Sequence, residues 1–79
     1  MISGRNWKKN LYTDQIQRIK DTANSSTEPM VQAGAIDALE EYGKQAIDAI
    51  SDVVKSPIID IQVRTHGLKV IEELSNRQD

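Results

Sequence analysis

His66 is the single histidine of the chain and the side chain best suited to acid–base or metal chemistry near neutral pH. A metal site would need further ligands of suitable spacing, and the sequence holds no second histidine and no cysteine. The lack of cysteine also excludes disulfides and thiolate nucleophiles. We therefore expect His66 to be a packed or surface residue, and we expect no bound metal and no cofactor.

The carboxylates come as neighbours in Glu40-Glu41 and Glu72-Glu73. Adjacent residues on a helix point about 100° apart, so neither pair can converge on one substrate. The sequence also shows no pairing of a nucleophile with a base and no glycine-rich phosphate loop. We predict that the chain is not an enzyme, and that these glutamates form solvated helix faces.

A basic cluster near the N-terminus combines Arg5, Lys8 and Lys9 with the aromatic ring of Trp7. Such a cluster could stack on a base and contact phosphate, which makes nucleic-acid binding one hypothesis. Residues 1–20 carry a net charge of +4, whereas residues 21–79 carry −6. The acidic remainder would repel a long nucleic acid, so the other interpretation is that Trp7 covers the open end of the first helix pair.

Local signals predict an all-α chain with an irregular basic arm over residues 1–12 and a single helical domain over residues 13–79. Thr13 and Asp14 suit an N-terminal cap, Pro29 suits the first turn of a helix, and Gly43 suits a helix end. The four helices that these signals delimit are residues 13–24, 29–42, 44–55 and 60–75. Gly67 lies inside the last helix, where glycine costs about 1 kcal/mol relative to alanine, so we expect a close helix contact there.

The chain resembles itself at a spacing of 31 to 32 residues. A shift of 31 places Ile16 on Ile47 and Ile19 on Ile50, and a shift of 32 places Val31 on Val63, Ile36 on Leu68 and Leu39 on Ile71. Each unit is a helix, a turn and a second helix, a pattern typical of helical solenoids. We expect equivalent residues such as Val31 and Val63 to have similar environments. A plain antiparallel four-helix bundle is the alternative.

From Glu28 to Ser75 the chain resembles the short HEAT repeats of phycobilisome-lyase-like proteins. Asp60-Ile61-Gln62-Val63-Arg64 matches the D-x-x-V-R start of that repeat, Glu28-Pro29-Met30-Val31-Gln32 matches it more loosely, and Gly43-Lys44-Gln45-Ala46-Ile47 matches its turn and second helix. The resemblance implies a short α-solenoid of about two antiparallel hairpins. It also implies an inter-repeat role for Asp60 and Arg64, with a partial ladder because Gln32 stands where the family has arginine.

By the same resemblance, helices one and three form the recognition surface of a non-catalytic protein-interaction module, or scaffold. Asp48 and Asp52 are four residues apart and share one helix face, although an ordinary solvated face has the same spacing. The solvent-facing residues expected on this surface are Gln17, Lys20, Asp21, Asp48, Ser51 and Asp52.

The hypotheses for partners and location follow from the same features. The expected partner is a protein of unknown identity, and uncovered apolar ends would favour a weak homodimer or a small hetero-assembly. The alternatives are a nucleic-acid-associated protein that uses the basic arm and an accessory subunit related to chromophore lyases. No run approaches the roughly 20 apolar residues of a membrane span, and no apolar leader is evident, so we expect a cytoplasmic protein.

Overall fold

The helices that the sequence predicts are present in the computed structural model, which describes the backbone of residues 4–77 and the side chains of residues 12–77. No strand occurs within these residues, so the prediction of an all-α chain is confirmed. The elements in chain order are α1 (Gly4–Ser25), α2 (Pro29–Glu40), a 3₁₀ turn (Gly43–Ala46), α3 (Ile47–Lys55) and α4 (Ile61–Ser75).

Helix α1 begins much earlier than the sequence signals indicate. It starts at Gly4 and runs without a break through Thr13 and Asp14, which therefore lie inside the helix and are not its cap. The prediction of an irregular arm over residues 1–12 is thus corrected from residue 4 onward. Glycine and asparagine each disfavour a helix by about 1 kcal/mol or less, which neighbouring lysines and leucine can offset. The expected covering role of Trp7 lies outside the described side chains.

The other helix ends follow local chemistry. Pro29 is the first residue of α2, where its missing N–H breaks no helical hydrogen bond. Gly43 has a φ of 73°, in the left-handed region that side chains disfavour, and it begins the 3₁₀ turn. Asp60 caps α4, because its carboxylate accepts a hydrogen bond of 2.9 Å from the backbone N–H of Gln62.

The helices form two hairpins that lie side by side. Helix α1 packs on α2 and α3 packs on α4, while the equivalent helices of the two hairpins, α1 with α3 and α2 with α4, are also in contact. The principal extents of 45, 29 and 16 Å describe a thin slab. The largest apolar side chains that are fully buried in the core are Ile36, Leu39, Ile50, Val53 and Leu74.

Equivalent residues of the two hairpins differ in burial, so the expectation for Val31 and Val63 is wrong. Val31 is 39% exposed, whereas Val63 is 4% exposed and borders α2. Ile36 and Leu68 differ in the opposite sense, at 0% and 54%. Within the described residues there is no earlier hairpin to cover Val31 and no later one to cover Leu68, which accounts for both differences.

The close contact expected at Gly67 is confirmed. A Cβ atom there would collide with Val54 Cγ1 and would lie 3.1 Å from Ile36 Cδ1. Both neighbours are buried core residues, and Val54 is β-branched and stiff. Gly67 is therefore a point of close contact between α4 and the helices α2 and α3.

We predict that Gly67→Ala lowers the free energy of unfolding by about 1–2 kcal/mol, because overpacking outweighs the gain in helix propensity. Gly34→Ala is the matched control, since a Cβ at this exposed position of α2 meets nothing within 4 Å. The control is expected to raise the free energy of unfolding by up to about 1 kcal/mol. Urea denaturation followed by circular dichroism measures both, and equal effects of the two substitutions would contradict the assigned contact.

Candidate protein-interaction surface

A shallow groove runs between α1 and α3, on the layer opposite α2 and α4. One side is formed by four α1 residues at positions i, i+3, i+4 and i+7, which is one face of a helix. The other side repeats this spacing with one residue of the 3₁₀ turn and three residues of α3. The groove, called the α1/α3 groove below, is lined by Thr13, Ile16, Gln17, Lys20, Gln45, Asp48, Ala49 and Asp52. Because the two sides belong to different hairpins, a molecule bound here would contact both.

The groove has an apolar floor and polar walls. Ile16 and Ala49 are packed into the core or against it, whereas Gln17, Asp48 and Asp52 are exposed. Lys20 Nζ lies 3.3 Å from Asp52 Oδ2 and joins the two hairpins across the groove. An exposed pair of this kind contributes at most about 1 kcal/mol to stability, so its main effect is to fix where the charges lie.

The structure brings together four of the six predicted surface residues. Gln17, Lys20, Asp48 and Asp52 line the groove. Asp21 lies beside it and accepts a hydrogen bond of 2.9 Å from Gln17 Nε2, and the half-buried Ser51 is not part of the lining.

Sequence reasoning missed the other four lining residues, which are Thr13, Ile16, Gln45 and Ala49. The signal that could have found them is the shared helical spacing of the two sides.

The charge of the described groove residues is negative. Lys20 pairs with Asp52, and Asp48 has no ion-pair partner within the part of the chain that the structure describes. One cation against two carboxylates gives the described lining residues a net charge of −1, which complements a positively charged ligand.

Gln32 links the two hairpins in the layer formed by α2 and α4. Its side chain is fully buried, yet both amide atoms are hydrogen-bonded. Nε2 donates to the carbonyl oxygens of Ser26 at 2.7 Å and Ile58 at 3.0 Å, and Oε1 accepts from the backbone N–H of Asp60 at 3.0 Å. The residue thereby joins the loop before α2 to the loop before α4.

The two residues that the HEAT resemblance marks as inter-repeat contacts are placed differently. The side chain of Asp60 caps its own helix, and only its backbone N–H takes part in the link between hairpins. Arg64 Nη2 donates to the carbonyl oxygens of Ser56 at 3.0 Å and Ile59 at 3.4 Å, both within its own hairpin. The link between hairpins in this loop region is therefore made by Gln32, not by an Asp60–Arg64 ladder.

We predict that Gln32→Met lowers the free energy of unfolding by about 2–4 kcal/mol, since it removes three hydrogen bonds to part-buried backbone groups. Gln62→Met is the matched control, because Gln62 is exposed on α4, and its effect should stay within about 0.5 kcal/mol. Thermal and urea unfolding of both variants measures the difference. Equal stability of the two would refute the structural role of Gln32.

The remaining chemistry-bearing side chains form surface contacts. His66 Nε2 lies 2.7 Å from Asp37 Oδ1 and joins α4 to α2, and Arg77 Nη2 lies 3.7 Å from Glu40 Oε2. Glu41, Glu72 and Glu73 are exposed. No group of three histidine, aspartate or glutamate side chains within the described residues could hold a metal ion.

Comparisons with known proteins place no further constraint on the chain. No protein-family model matches the sequence, and neither the curated proteins nor the solved structures contain a match. The HEAT resemblance therefore stays a prediction. None of the described helices has the length and apolar character needed to cross a membrane.

Proposed function

We propose that the chain is a non-catalytic protein-interaction module of HEAT-like repeats that binds a protein partner in the α1/α3 groove. The observation that supports this most is the pairing of two identical face patterns, one from each hairpin, into one continuous surface. An apolar floor within polar walls is the usual make-up of a protein interface. The partner would bind across both hairpins, so the recognition surface forms only when the two hairpins are folded against each other.

The charges of the groove favour a partner segment with lysine or arginine side chains. Asp48 and Asp52 lie one helical turn apart on α3 and can both face the same bound segment. Lys20 already pairs with the Asp52 carboxylate. Asp48 is therefore the carboxylate that attracts a basic side chain of the partner more strongly. Complementary charges of this kind set the binding register and speed association.

We predict that charge reversal of the groove abolishes binding of basic peptides. Peptides are selected from a random display library on the wild-type chain and then tested on the variant Asp48→Lys/Asp52→Lys. The matched control Glu41→Lys/Glu73→Lys carries the same change of charge on exposed residues outside the groove. The selected peptides should be rich in lysine and arginine and should bind the control with little change, measured by fluorescence anisotropy.

Two outcomes of this selection would contradict the proposal. The first is a set of peptides that bind the groove variant as well as they bind the wild type. The second is a set of peptides that lose binding equally to the control, since that would reflect net charge alone and no particular surface.

The net charge of +4 over residues 1–20 favours a second candidate, binding of nucleic acid through the basic cluster of Arg5, Trp7, Lys8 and Lys9. In that case random-sequence DNA or RNA should bind with a steep salt dependence. Changing Arg5, Lys8 and Lys9 to alanine should then abolish binding, whereas the groove variant should not. Anisotropy of labelled oligonucleotides at several salt concentrations measures this binding. Because the acidic remainder of the chain repels nucleic acid, we expect weak or no binding at physiological salt.

A further inference from the structure

Helix α2 of the first hairpin contacts the second hairpin through a small set of residues. The equivalent residues of α4 can be compared with them. Two residues of α2 make this contact: Gln32, whose amide is saturated by both loops, and Ile36, which is fully buried and borders Gly67. We call this pair the α2 seam. One polar and one apolar residue, four positions apart, thus hold one hairpin against the next.

The repeat places Arg64 and Leu68 at the positions of the α2 seam in the second hairpin, at the shift of 32 residues. Leu68 is 54% exposed, whereas Ile36 is fully covered. Arg64 reaches the carbonyl oxygens of its own loop through Nη2, but its buried Nε has no hydrogen-bond partner. We call Arg64 and Leu68 the second seam. Both residues lack contacts that Gln32 and Ile36 make in the α2 seam.

Helix α4 and the loop before it carry half of the large apolar side chains that are exposed within the described residues. Three of the six exposed large hydrophobic residues within the described side chains are Ile58, Ile61 and Leu68. Ile61 is 72% exposed and lies two helical turns before Leu68 on the same face of α4. Large apolar side chains grouped in this way mark an interaction surface more often than isolated ones do.

The charges on this face of α4 complement those on the same face of a second copy. Arg64 lies four residues before Leu68 and Glu72 lies four residues after it, so all three share one side of α4. Glu72 is exposed and has no ion-pair partner within the described residues. When two such helices cross antiparallel with Leu68 at the centre, Arg64 of each copy comes opposite Glu72 of the other.

We propose that a second copy of this chain covers the second seam, in a two-fold symmetric dimer of antiparallel α4 helices. Leu68 packs on Leu68 at the axis, Ile61 and Ile58 extend the apolar contact, and two Arg64–Glu72 pairs flank it. Symmetric contacts of this type close after two copies. Helix α4 has 15 residues and is about 22 Å long, so the contact area is small and the dimer is weak.

The first test is the mass of the chain in solution over a wide range of concentration. Sedimentation equilibrium should show the mass rising from one chain of 8.9 kDa to a limit of two chains. Leu68→Glu should weaken association more than about tenfold, the equivalent of 1.4 kcal/mol, because it places two charges at the axis. Met30→Glu is the matched control, since Met30 is 85% exposed on α2, and it should leave association unchanged.

The second test addresses the orientation of the helices. Glu72→Arg and Arg64→Glu should each be monomeric, and mixing them should restore a dimer because both charge pairs are then satisfied. The chain has no native cysteine, so Leu68→Cys should form a disulfide with its own copy upon mild oxidation. Val31→Cys is the control at the opposite end. Circular dichroism verifies folding, and if Arg64→Glu unfolds, the cysteine variants decide the orientation.

Three results would overturn the proposal. The chain could stay monomeric at several hundred micromolar. Its mass could rise without a limit, which would indicate head-to-tail stacking in which Leu68 of one copy meets Val31 of the next. Finally, Leu68→Cys could cross-link no faster than Val31→Cys.

Discussion

The buried amide of Gln32 is the constraint on which the arrangement of the two hairpins depends. Loops before helices leave backbone carbonyl and N–H groups that the helices themselves cannot satisfy. Gln32 satisfies three of them at once, at Ser26, Ile58 and Asp60. The glutamine amide supplies two N–H donors and a carbonyl oxygen, and here both donors and the oxygen are engaged. The loops are therefore held at a fixed distance, which sets how α2 lies on α4 and, through the core, how α1 lies on α3.

Much of the fold could be predicted from the sequence, because it depends on local chemistry. Pro29 and Gly43 act through backbone geometry that neighbours hardly change, and Gly67 inside a helix indicates a close contact wherever the helix packs. The early start of α1 was missed because the propensities involved are small. The different environments of Val31 and Val63 were missed because a repeat pattern does not show which copies lie at an end.

Only part of the candidate surface could be predicted from the sequence. The polar walls could be named from helical spacing, since solvent-facing residues follow the periodicity directly. The apolar floor of Ile16 and Ala49 looked like core, because a groove floor and a core share the same residue types. The burial of Gln32 had no local signal at all: a glutamine is usually exposed, and its partners lie in loops up to 28 residues away. The same link shows why the second seam is unfinished, since Arg64 has no next loop within the described residues.

The amide hydrogen of Asp60 reports most directly on this account. Asp60 precedes the first turn of α4, so its N–H has no partner within the helix and is protected only by Gln32 Oε1. Residue-resolved hydrogen exchange by NMR should show this amide protected nearly as well as core amides of α4, and the protection should vanish in Gln32→Met. Exchange at the rate of an unstructured chain in the wild type would contradict the claim that Gln32 holds the hairpins together.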